Sequence, residues 1–174
     1  LYWLSRGMSP TNKVRLEYLA NPGAHWQTIA DGVSAMDNNY IWSNTNPPSP
    51  VAHWRVILES DTNVFDATDT TFILRSGPIF YYVNDSSTNG DIYTSIPGSP
   101  TNSGLFTNEP ASSIQDVLDR YDFGPSDALF IDTGTYILTN GVFVGTLDSG
   151  VVTSRVSFIG STNVARGGSV FRMV

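Results

Sequence analysis

An all-β chain carrying one short helix is the fold class that these 174 residues predict. Three observations lead there. Charged residues make up only 14% of the chain while aromatics reach 12%, a balance that suits packed strands and argues against both ion-paired surface helices and disorder. Apolar and polar side chains alternate with a period of two in several short runs. Clusters of Gly, Pro, Asn, Asp and Ser punctuate those runs along the whole chain.

In chain order, the first half gives six candidate strands at residues 1–4, 13–19, 26–30, 40–43, 52–59 and 70–75. Turn chemistry separates them at residues 8–12, 21–24, 37–39 and 44–50. Val14, Leu16 and Tyr18 alternate with Arg15 and Glu17, and Trp54, Val56 and Leu58 alternate with His53, Arg55 and Ile57. Six short strands so spaced predict a small antiparallel sandwich over residues 1–76. Ser76-Gly77-Pro78 then marks a boundary, with 77–78 as a linker so short that the two modules are held close together.

The second domain, residues 79–174, opens on a strand at 79–84. A long polar loop follows at 89–108, of a length that points to function or to wrapping another element. Within 110–136 (PASSIQDVLDRYDFGPSDALFIDTGTY) lies the helix: Ser112 is the expected N-cap and Gln115 completes a capping box. Ile114, Val117, Leu118 and Tyr121 form one apolar stripe, and Gly124-Pro125 stops the helix. A buried strand at 128–132 leads into Gly134-Thr135-Tyr136, and further strands are expected at 142–144, 156–159 and 169–173.

Two resemblances rest on these residues. The first half, through Trp26, Trp42, Arg55, Val56, Asp69 and Phe72, resembles an Ig-like module of bacterial surface proteins, similar to the Ser-Thr-rich cell-wall-anchored membrane protein family. It departs from that pattern at Ala24-His25 and at Thr68, and it implies a structural or linking module without catalysis. Residues 98–136 resemble the opening of a right-handed parallel β-helix of the pectin-lyase-like kind, in which a helix covers the end of the solenoid before the first coil. Together they imply an Ig-like antiparallel β-sandwich followed by the capped start of a right-handed parallel β-helix, and a bacterial protein that is extracellular or on the cell surface.

The net charge of −7 supplies no basic patch for phosphates, so nucleic acid is not an expected partner. Without cysteine there is no thiol catalysis, Cys-ligated zinc or disulfide. No apolar run reaches the length of a membrane span, so membrane insertion is not expected. The chain opens on Leu1 and closes inside a strand, as a piece of a longer, processed chain would. About two coils are expected after the cap, fewer than the three that usually bury a continuous core. That predicts continuing coils, or self-association, at the C-terminal end.

Site candidates are few. Asp85, Ser87, Asn89, Gly90 and Asp91 fall at spacings 1, 3, 5, 6 and 7 of an EF-hand-like calcium loop, where alternating oxygens surround a hard cation and glycine allows the sharp turn. Position 12 is Ile96 rather than the bidentate Glu, and a solvated turn is the competing reading. Asp127 or Asp132 completes such a site if folding brings it near. Calcium is the one cofactor the sequence raises. Asp61, Asp66 and Asp69 pose the same choice between an ion and Asx turns. Trp26 and Trp54 are candidate sugar-stacking platforms for a polysaccharide, weighed against core packing at strand spacing. His25 and His53, the only histidines, suit outward strand positions better than a metal pair or general base. A polysaccharide lyase or hydrolase needs converging Arg or carboxylates; Arg155, Arg166 and Arg172 form no such cluster with Asp pairs. The balance favours a non-catalytic assembly module, such as an adhesin, fibre or surface-layer element, over an enzyme or a carbohydrate-binding module.

Overall fold

Val14, Leu16 and Tyr18 lie buried along β1 (Lys13–Leu19), and their period of two organises everything around that strand. The computed structural model describes residues 1–174 and divides between Gly77 and Pro78 into two units. In the first, β1 pairs antiparallel with β2 (Gln27–Ser34) on one side and β3 (Ser49–Leu58) on the other. The ten residues of β3 serve two further short strands: β4 (Phe65–Ala67) along its second half and β5 (Phe72–Leu74) along its first.

One face of this sheet carries the core. Val14, Leu16 and Val56 pack with Trp3 and Tyr40, while Tyr18, Ala52 and Leu74 pack with Trp42 and Trp54. On the other face sits Glu17, only 6% exposed. Its carboxylate is held by Arg15 Nε at 2.7 Å and Arg55 Nη2 at 2.6 Å, and the Arg55 guanidinium lies 4.3 Å from the centre of the Trp26 ring. A buried carboxylate needs such partners, and here two half-exposed arginines supply them.

Two expected strands take another form. Residues 1–4 and 40–43 alternate inward and outward as strands do but make no extended ladder. They are tied by Leu1 N to Tyr40 O (2.8 Å), Tyr40 N to Leu1 O (2.9 Å) and Trp3 N to Asn38 O (3.2 Å). Conversely, β4 lies in a stretch read from its Asp residues as a connection.

The second unit is built on parallel pairing. β6 (Phe80–Val83), β7 (Ala128–Ile131) and β9 (Ser157–Gly160) form one sheet in that spatial order; β8 (Gly134–Leu138) and β10 (Ser169–Met173) form another. Only Asp132 and Thr133 separate β7 from β8, so the chain turns a tight corner from one sheet into the other. The succession β7–β8 is then repeated by β9–β10, in register, one layer on. Tyr81, Leu129 and Phe158 form one cross-strand row, and Val83, Ile131 and Gly160 another.

The helix α1 (Ile114–Arg120) buries Ile114, Val117 and Leu118 of the predicted stripe, and the fourth member, Tyr121, is buried just beyond it as the C-cap. Its N-cap is Ser113, whose hydroxyl accepts from Asp116 N, rather than Ser112. Gln115 therefore closes no capping box; its amide bonds Asp119 and the main chain of Phe143. The helix ends at Arg120, before Gly124-Pro125, where Tyr121 turns to extended backbone. Residues 142–144, expected as a strand, pair with nothing. No helix is long and apolar enough to cross a membrane.

Candidate functional site

The side-chain oxygens of the calcium-loop residues accept hydrogen bonds from the loop's main chain and from its neighbours. Asp85 Oδ1 accepts from Ser87 N (2.8 Å), Ser87 Oγ accepts from Asn89 N (3.1 Å), and Asp85 Oδ2 accepts from Thr135 N at 3.0 Å. The first two are an Asx-type and a Ser-type turn, and the third ties the loop to β8. Gly134 makes room for them: a Cβ there would stand 2.3 Å from Asp85 Oδ2. Asp91 turns the other way, its Oδ2 accepting from Asn84 Nδ2 at 2.6 Å. No group of three or more His, Cys, Asp or Glu side chains is placed to hold a metal ion. A cation present at a hundredfold its dissociation constant adds about 2.7 kcal/mol to stability. The turn reading predicts that millimolar calcium or a chelator leaves the thermal unfolding midpoint of the chain unchanged, whereas a midpoint that rises with calcium in calorimetry would favour the ion.

Folding does bring Asp132 beside this loop. Fully buried, its carboxylate accepts five hydrogen bonds: from Ile92 N, Tyr93 N, Thr94 N, Thr94 Oγ1 and Thr133 N, at 2.7–2.9 Å. Burial works against its charge, but the donors outweigh it and hold the carboxyl below the usual carboxylate value. Asp91 is shifted the opposite way. Burial raises it, the Asn84 bond opposes, and the charges of Asp132 and Asp85 raise it further; its Oδ1 is buried without a partner. Asp127 is also buried and accepts from Ile79 N and Gly124 N at 2.8 Å each. The importance of Asp132 had a sequence signal: a carboxylate directly after an apolar strand, followed by Thr-Gly.

Trp26 and Trp54 are not brought together. Trp54 packs on the core face, whereas Trp26 lies over Arg55 on the opposite face. His53 Nδ1 lies 3.2 Å from Thr68 O and 3.1 Å from Thr68 Oγ1, and His25 is exposed. Asp61 forms an Asx turn with Asn63. Arg155, Arg166 and Arg172 are exposed.

The most unusual surface is the last layer of the second unit. In the row shared by Tyr81, Leu129 and Phe158, the first two are fully buried, while Phe158 is 42% exposed. Along the neighbouring sheet Tyr136 is 5% exposed and its partner Phe171 48%. Phe158 and Phe171, with Ile114, Ile131, Leu138 and Val144, line an open apolar cavity of about 500 Å³. Both β9 and β10 are paired along one edge only. Ser157 N donates to Asp127 O and Val174 N to Leu138 O, so the alternating parallel pattern aims the N–H groups of Phe158, Phe171 and Met173 at the unpaired side. An apolar row and a free strand edge coincide here, the combination that invites another strand. No protein-family model, curated protein or solved structure matches the chain.

Proposed function

We propose that the chain is a non-catalytic assembly module of a large secreted or cell-surface bacterial protein. In this reading the first unit is an Ig-like β-sandwich, its second layer reduced to the extended segments 1–4 and 40–43. The second unit is the helix-capped start of a right-handed parallel β-helix. The layer of β9 and β10 receives further parallel strands, from continuing coils or from a second copy. What carries the reading is the exposure of Phe158 and Phe171 at positions whose row-mates are buried, on strands with an unpaired edge.

Covering each half-exposed aromatic contributes roughly 1 kcal/mol, and the free N–H and C=O groups add direction to the contact. The 174-residue chain is therefore expected to self-associate as concentration rises in sedimentation velocity. Phe158→Asp or Phe171→Asp would each weaken that association by about thirtyfold or more, on the scale of an interface anchor. A chain that stays monomeric throughout, or variants that associate like the parent, would remove the support for this function.

A further inference from the structure

Residues 85–96 leave the first layer of the second unit and cross its corner, touching every layer in turn. On the first, Asn84 Nδ2 donates to Asp91 Oδ2 and to Ile96 O, at 2.6 and 2.9 Å. On the second, Asp132 collects the three consecutive N–H groups of Ile92, Tyr93 and Thr94, and Thr133 Oγ1 donates to Gly90 O at 2.8 Å. On the third, Tyr93 OH donates to Gly160 O at 3.0 Å and Asn163 Nδ2 to Gly90 O at 2.7 Å. The fit at Gly90 is tight: its φ is +92°, and a Cβ would come within 2.7 Å of Arg166 Cβ.

The third layer needs such help. Most of β9 and β10 is exposed, and each has ladder bonds to a single neighbour. Few buried contacts and one-sided pairing describe a segment that opens locally at low cost. We infer that residues 85–96 are a strap that locks the last layer in register on the two before it, so that its outer edge is presented preformed to whatever strand joins it. The strap stands on the contacts above. Its role in presenting that edge rests on the assembly reading.

The test uses the full chain and leaves Asp132 untouched. Tyr93→Phe combined with Asn163→Ala removes both clasps on the third layer, and Gly90→Ala provides an independent route by steric displacement. In native-state hydrogen exchange, amides of β9 and β10 are expected to lose about tenfold or more of their protection while those of β7 hold theirs. Unchanged protection in β9 and β10, or a uniform loss across the unit, would overturn the strap. Where protection falls as expected, self-association should fall with it. Association at the parent's strength from a loosened layer would leave the lock in place and overturn its presenting role alone, while the assembly reading stands or falls separately on the Phe158 and Phe171 variants.

Discussion

Asp132→Ala is expected to destabilise the second unit by about 3–5 kcal/mol, the range for leaving hydrogen-bonded partners of a buried charge unmatched. Four main-chain N–H groups and one hydroxyl converge on that carboxylate, and three of the N–H groups belong to the strap. A domain of ordinary stability has roughly 5–15 kcal/mol in total, so the loss is a large share of it. Asp132→Asn should fall between the parent and the alanine variant, because its amide keeps one acceptor and turns the other oxygen into a donor facing donors. Denaturant unfolding followed by tyrosine signals would measure both. Since the folded-state value of Asp132 lies below the unfolded one, its stabilisation is complete above about pH 4 and is lost as pH falls below that. Asp91 has the opposite sign. Its raised value means it favours the folded state most at low pH and progressively less as pH rises through its folded value. Asp91→Asn should accordingly gain stability relative to the parent as pH increases from 4 to 7, and a gap that stays constant across this range would contradict the assignment.

Glu17→Ala is expected to cost the first unit about 2–4 kcal/mol. The carboxylate is buried and bonded on both oxygens, yet Arg15 and Arg55 keep 33% and 23% side-chain exposure, so both can regain water after its loss. That keeps the effect below the one at Asp132. The Arg55 guanidinium over Trp26 would lose its anchor as well. All four tryptophans, at positions 3, 26, 42 and 54, lie in this unit, so intrinsic tryptophan fluorescence reports its unfolding selectively. Glu17→Gln, which keeps the shape and one good acceptor, should recover about half the loss.

Local pattern carried much of the architecture. The alternation of Val14, Leu16 and Tyr18 marks β1 to the residue, and residues 169–173 coincide with β10. The stripe of α1 was visible because helical period is a short-range property. What stayed hidden depends on distant partners. Residues 142–144 look like a strand and lack a neighbouring edge; β4 is three residues long and exists because β3 offers it an edge. The alternation that put Trp54 inward also put Arg55 outward, but nothing local ties Arg55 to Trp26, twenty-nine positions away. Spacing alone raises calcium for Asp85 and Asp91, but it does not show that their oxygens accept from Ser87 N, Thr135 N and Asn84 Nδ2. Asp132 is recognised as an anchor only when residues 92–94, some forty positions earlier, are seen folded against it.

The most direct measurement follows the amides of Phe158, Phe171 and Met173 through a concentration series, by hydrogen exchange read residue by residue. If another strand joins this edge, those three amides gain protection as the chain associates, while the exposed strands of the first unit do not change. Association that protects the β2 or β4 edge instead, leaving these three amides as open as in the dilute chain, would contradict the role assigned to the last layer.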